Sequence, residues 1–175
     1  MITLIRNIQD SGKTASMVAA IRQHVLLDGY SPGEVYVNFG LKIDGAHCLN
    51  NKEMIAFLTK AMKSGIKHLI IGITEADRVF PARYWQKQDQ TDALIGLWQD
   101  EKSFWLVYAD AHSGTGVDVT MRSVRQIAWI PRYNKAKDLI KVHVINGCFA
   151  REYNLIIPNV SQTVFPYYDR WQVNN

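Results

Sequence analysis

The triplet Gly12-Lys13-Thr14 follows an apolar stretch, Met1 to Arg6, and opens a segment whose apolar residues Met17, Val18, Ile21 and Val25 recur at helical spacing. A strand, then a loop ending glycine-lysine-hydroxyl, then an amphipathic helix is the order that wraps backbone N–H groups around phosphate oxygens. In such a loop Gly12 lets the backbone approach closely, Lys13 reaches the outer phosphates and the Thr14 hydroxyl binds Mg2+. The helix N-terminus adds the positive end of its dipole. The whole loop, Asn7-Ile8-Gln9-Asp10-Ser11-Gly12-Lys13-Thr14, departs from G-x-x-x-x-G-K-[ST] at its first position. Asn7 is expected to serve there because asparagine also visits left-handed backbone angles. The competing reading is a loop that ends in a solvated lysine at a helix start.

The rest of the chain continues the alternation. Asp28-Gly29 ends the first helix, and Ser31-Pro32-Gly33 is turn chemistry. Val35, Val37 and Phe39 predict a second strand. Met54, Ile55, Leu58, Ala61 and Met62 predict a second helix, N-capped by Asn50 or Asn51 and closed by Ser64-Gly65. Leu69 to Ile73 and Phe104 to Ala109 suit strands buried on both faces. Leu94, Leu97 and Trp98 mark a third helix between them. His112 to Gly116 reads as a Gly-rich loop, Val117 to Arg125 as a short helix and Ile127 to Ile130 as a fifth strand. Strand–helix alternation implies an α/β domain with a mainly parallel sheet flanked by helices. From Ile140 the texture changes to period two, and Asn146-Gly147 is a hairpin-turn signal. Residues 139 to 157 are expected to form an antiparallel hairpin with one wet face, extending the sheet at an edge. A chain of 175 residues suits one domain, 1–175, with a core at 1–133 and a hairpin and tail at 134–175.

A second chemical segment follows the Leu69–Ile73 run: Thr74-Glu75-Ala76-Asp77. A carboxylate at a strand end beside a phosphate loop can orient or deprotonate water, and Glu75 is the candidate. Thr74 stands where an aspartate usually holds the metal shell; its hydroxyl can bond a metal-bound water but brings no charge, and Asp77 is a candidate helper. The bland alternative is an acidic helix N-cap. Lys60, Lys63 and Lys67, and again Lys135, Lys137 and Lys141, form basic groups in a chain of net charge +4. They would give salt-sensitive, sequence-independent contacts to duplex DNA, or simply solvated faces.

Gly12-Lys13-Thr14, then Thr74-Glu75-Ala76-Asp77-Arg78 with Phe80-Pro81-Ala82-Arg83, resembles the FtsK–HerA superfamily of P-loop ATPases. Within it the sequence is similar to the small viral genome-packaging ATPases and the Zot-like phage proteins. Gly116-Val117-Asp118 through Arg122 and Gln126, Ile130-Pro131-Arg132 and the ending Val164-Phe165-Pro166-Tyr167-Tyr168-Asp169 extend the likeness. The resemblance implies a RecA-like P-loop sheet, ATP with Mg2+, and a homo-oligomeric ring in which each site is completed by a neighbour. It implies a motor on double-stranded DNA, working with capsid or vertex proteins. A polar residue after the Phe104 strand, His112 or Asp110, would sense the γ-phosphate. An arginine finger would come from Arg78, Arg83, Arg122, Arg125 or Arg132, since a permanent planar charge suits the transferred phosphoryl group.

Other classes remain as alternatives: a degenerate nucleotide-binding assembly protein, motivated by Asn7 and Thr74; a Zot-like morphogenesis or export ATPase; and a P-loop small-molecule kinase, for which no arginine-rich lid is evident after Thr115. No apolar run approaches the ~20 residues that span a bilayer, and the N-terminus lacks signal-peptide texture. Cys48 and Cys148 show no metal-ligand spacing. The expected setting is a reducing cytoplasm, the host's if the protein is viral, with virion association as a further expectation.

Overall fold

Ile2, Leu4 and Ile5 are buried because their strand, β1 (Ile2–Arg6), runs through the middle of a sheet. A computed structural model describes residues 2–80, 104–112, 127–147 and 149–173. In it β1 is flanked in parallel by β6 (Leu106–Ala111) and β7 (Ile127–Asn134). Next to β6 lies β5 (Ile70–Ile73), then β2 (Val35–Val37) and the two-residue β4 (His47–Cys48), all parallel. On the far side β8 (Leu139–Asn146) and β9 (Arg151–Pro158) add antiparallel strands. The order of this eight-stranded sheet is β4-β2-β5-β6-β1-β7-β8-β9.

Alternate residues of the central strands go to opposite layers, as period-two geometry requires. Ile5 and Ile70 pack with Met17, Val18 and Ile21 of α1 (Lys13–Leu27). Leu4 and Ile71 pack with Met54, Leu58 and Ala61 of α2 (Asn51–Lys63). Asn50 caps α2: its side chain accepts from the Glu53 N–H at 2.9 Å, and Glu53 accepts from the Asn50 N–H at 2.8 Å. Gly72 lets α1 lie close, since a Cβ there would stand 3.1 Å from Met17 Sδ and 2.9 Å from Val37 Cγ1.

Four expectations change in detail. The Val35–Phe39 run is not one strand: Asn38 is fully buried in side-chain bonds, and β3 (Phe39–Leu41) pairs instead with β10 (Tyr168–Val173). The fifth strand runs on through Pro131 to Asn134. Proline is tolerated there because β1 stops opposite Trp129, so no ladder bond is lost on that side. The hairpin turn is longer than Asn146-Gly147, because the last rung is Asn146↔Arg151. In β8 the alternation holds, with Ile140, Val142 and Val144 buried, but β9 is exposed on both faces except at half-buried Ile157. The tail packs on α1: Arg22 donates to the Thr163 carbonyl of α4 (Val160–Thr163) and lies 3.7 Å over the Tyr167 ring. The third helix, the 117–125 helix and the Gly-rich loop beyond His112 lie outside the described residues.

Candidate nucleotide site

The loop between β1 and α1 closes on Gly12, the N-cap of α1, at φ 90° and ψ 24°. That is left-handed backbone, and a Cβ there would stand 3.0 Å from Ile140 Cδ1. No side chain caps α1 and no acidic residue lies in its first turn, so its leading N–H groups face outward uncompensated, as an anion site requires. Lys13 is 8% exposed, and its Nζ donates to the carbonyls of Asn7 at 3.1 Å and Ile8 at 3.0 Å. The lysine therefore arches back over its own loop. Ser11 Oγ is buried and has no hydrogen-bond partner among the described residues. Ile8, Gln9 and Asp10 form the exposed crest, with Asp10 at φ 58°.

Asn7 works differently from the expectation. Its backbone is not left-handed. Instead its Nδ2 donates to the Pro131 carbonyl at 2.7 Å, and its Oδ1 accepts from the Ile8 N–H at 2.8 Å. The residue that replaces glycine thus ties the loop to β7.

Beside β1 stands Asp110, 3% exposed, the next-to-last residue of β6 and opposite Ile5. Its Oδ2 accepts from the Thr14 hydroxyl at 2.9 Å and its Oδ1 from the Glu75 N–H at 3.0 Å. Burial pushes this carboxyl up from the ordinary aspartate value. The bonds from Glu75 and Thr14 and the charges of Lys13 and His112 pull the other way. Glu75 sits at φ 50° as N-cap of the short α3 (Ala76–Val79), and its Oε2 is 2.8 Å from Arg78 Nη1. Thr74 turns away from the loop: its hydroxyl donates to Asn38 Oδ1 at 3.3 Å and its N–H to the same atom at 2.7 Å. Asn38 completes a buried bracket, donating to the Thr74 carbonyl at 3.0 Å and to Asn51 Oδ1 at 2.8 Å. No sequence pattern flagged Asn38; a polar residue inside the run Val35-Tyr36-Val37-Asn38-Phe39 was the available signal. Asp77 Oδ1 is buried without a partner among the described residues.

His112 is exposed just beyond β6. Arg132 is exposed on β7, three residues past the Ile5↔Trp129 rung, at the level of the loop. Arg78 is held by its own chain's Glu75. Arg83, Arg122 and Arg125 lie outside the described residues. The lysine groups are separated by the sheet: Lys60 and Lys63 end α2, before β5 begins, whereas Lys135 and Lys137 follow the loop end of β7.

An anion fits the loop, given a buried orphan hydroxyl, an uncapped helix and a glycine cradle a Cβ would crowd. Among the described residues no group of three or more His, Cys, Asp or Glu could hold a metal alone. A cation here would be shared with phosphate oxygens, as Mg2+ usually is.

No family model matches the sequence, and no curated protein matches it either. Solved structures do match. The N-terminal domain of zonular occludens toxin from Neisseria meningitidis aligns over 96% of this chain and 98% of its own, at TM-score 0.63 and 18% identity. The genome packaging NTPase B204 from Sulfolobus turreted icosahedral virus 2, in complex with ATP-gammaS, aligns over 87% of this chain and 95% of its own, at TM-score 0.58 and 10% identity. Two ATPase domains of EccC from Thermomonospora curvata align over 90% of this chain but 36% of theirs, at TM-score 0.58 and 7% identity. The chain has the RecA-like P-loop fold that the resemblance implies, and it is similar to both the Zot-like and the viral packaging proteins.

Proposed function

We propose that this chain is an ATPase that binds Mg–ATP on the 7–14 loop and uses its turnover to move double-stranded DNA, as in packaging a viral genome. The observation that carries the reading is the strand order. β6 stands between β1, which delivers the phosphate loop, and β5, which delivers Glu75. Two strand spacings, roughly 10 Å, then separate the end of β1 from the end of β5. This is room for an outer phosphate and an attacking water between them.

The residues divide the work. The N–H groups at the start of α1 and the Ser11 hydroxyl bind phosphate oxygens. Lys13 exchanges the Asn7 and Ile8 carbonyls for the outer phosphates, where its charge meets the charge that develops on transfer. Bound Mg2+ would neutralise the phosphates and would be held in part by Thr14. Glu75 orients the water and takes its proton. Arg78, with its side chain 67% exposed, can release Glu75 at little cost. An arginine from a neighbouring copy, Arg132 being the described candidate at loop level, would complete the site in a ring. B204 is named as a genome packaging NTPase, which supports the choice of a genome as cargo.

The test is phosphate release with and without duplex DNA. Wild type should turn over with Mg2+ and speed up on duplex. Lys13→Ala should lose nucleotide binding. Glu75→Gln should bind nucleotide yet lose at least about 100-fold in turnover. Turnover indifferent to duplex would remove DNA from the reading. It would favour the second one, a phage morphogenesis ATPase, which the full-length likeness to the Neisseria domain supports.

A further inference from the structure

Chains with this loop ordinarily carry an aspartate that shapes the metal shell at the end of the third strand. Here that position is Thr74, one residue past the Ile73↔Ala109 rung, and its hydroxyl is committed to Asn38. The same level of the next strand holds Asp110. We propose that Asp110 has taken over the magnesium carboxylate from position 74, so that Thr14 and Asp110 together hold the metal of a bound nucleoside triphosphate. The proposal rests on the nucleotide reading above.

Three observations carry it. The Asp110 Oδ2 is bonded at 2.9 Å to the one hydroxyl in the loop suited to ligating Mg2+. β6 is one strand nearer the loop than β5, so the carboxylate arrives about 4.8 Å closer than residue 74 could bring it. Asp110 is 3% exposed, and no lysine, arginine or histidine among the described residues lies at ion-pair distance from it. A buried carboxylate that feels Lys13 and His112 only from beyond ion-pair distance is an expensive feature, and a divalent cation would compensate it directly. A merely structural link between Thr14 and the Glu75 N–H would not need the charge. Asparagine could make both bonds, accepting from Glu75 and donating to Thr14. The same residue also positions the water-orienting group: its Oδ1 holds the Glu75 N–H at 3.0 Å, where Glu75 takes up φ 50°. Metal and base are thereby fixed by one side chain.

The experiment titrates a fluorescent ATP analogue into wild type, Asp110→Asn and Asp110→Cys, each with excess Mg2+ and again with EDTA. Wild type should bind more tightly with Mg2+. Asp110→Asn should lose at least about tenfold of that Mg2+-dependent gain while its affinity in EDTA is preserved, which also shows that the loop is folded. Asp110→Cys should bind weakly with Mg2+ and recover with Zn2+, a metal that accepts thiolate, beyond any change Zn2+ makes in wild type. Retention of the full Mg2+ effect in Asp110→Asn, or no metal switch in Asp110→Cys, overturns the proposal while leaving the nucleotide reading intact. Wild type that binds in neither condition overturns both.

Discussion

Replacing Gly12 with alanine tests whether the phosphate loop is held in the shape described. Two penalties add at this position. Left-handed backbone costs an L-residue about 1–2 kcal/mol. The new Cβ would also stand 3.0 Å from Ile140 Cδ1, 3.2 Å from Ile140 Cγ1 and 3.4 Å from Tyr133 Cβ, a crowding worth about 1 kcal/mol because only the tip of Ile140 can yield easily. Against this stands a gain of about 0.4–1 kcal/mol from stiffening the unfolded chain. The net loss is about 2 kcal/mol, or a Tm lower by about 4–8 °C for a chain of this size. Gly29→Ala is the internal reference: φ is +78° and nothing lies within 4 Å of its Cβ, so it carries the backbone penalty alone. Its loss should be about 1 kcal/mol. Urea unfolding of both variants, with unchanged m-values, reads the difference directly. Adding Ile140→Val removes the nearer of the two crowding Ile140 atoms, so the Gly12→Ala/Ile140→Val pair should couple favourably by about 0.5 kcal/mol. If Gly12→Ala costs no more than Gly29→Ala, or the pair is merely additive, the packing of β8 against the loop is not as described here.

Three further perturbations read neighbouring parts of the structure. Asn7→Gly restores the usual loop residue yet should destabilise the chain by about 1 kcal/mol in urea unfolding, because the bond to the Pro131 carbonyl is lost and the chain gains unfolded-state freedom. Without nucleotide, Asp110→Asn should be more stable than wild type at pH 7. Burial raises the folded pKa of Asp110, so its contribution to stability falls as pH rises above the unfolded value of about 3.9, and the gap between variants should close in melts taken below about pH 4. Asp138 is the opposite case: bonds from Ser161, with a smaller one from Tyr133, lower its pKa, so it stabilises above about pH 3.9 and loses that effect as pH falls through the folded value. Asp138→Asn, which tolerates the φ of 45° at this position, should have a lower urea midpoint than wild type at pH 7 and the same midpoint in strong acid.

What was legible in the sequence follows the range of the physics that writes it. Local signals worked: the helical period of residues 13–27, the Asn50 cap and the buried run Ile70–Ile73 each depend on neighbours within a few residues. The order of the loop, strand and Glu75 was legible for the same reason. Pairings across the chain were not. β10 with β3 joins residues more than 120 positions apart, and nothing within either segment names its partner. Asn38 was invisible because its acceptors and donors, Thr74 and Asn51, are set by the fold. From the sequence, Asp110 reads only as a candidate phosphate sensor. Its bonds to Thr14 and Glu75 arise because β6 is inserted between their two strands, and strand order is not written in one sequence.

The two places where the loop and acidic segments depart from the usual pattern share a logic. Asn7 spends its side chain on β7, and Thr74 spends its hydroxyl on Asn38 just past β2, so each departure ties a site segment to a neighbouring part of the sheet. Of the residues with left-handed backbone, Asp10, Gly12 and Glu75 belong to these two segments. Strain of that kind, about 1–3 kcal/mol for each non-glycine residue, persists only where surrounding bonds over-determine the conformation. Here those bonds are identifiable: Asn7 to Pro131 braces the loop that carries Asp10, and Asp110 braces the N–H of Glu75. A loop braced in this way would have little left to order on binding a triphosphate, so less binding energy would go into shaping it. Asn7 and Thr74 are then better understood as parts of a rigid site than as relics of a lost one. The Mg2+-dependence of Asp110→Asn decides between these two accounts, because a relic would show none to lose.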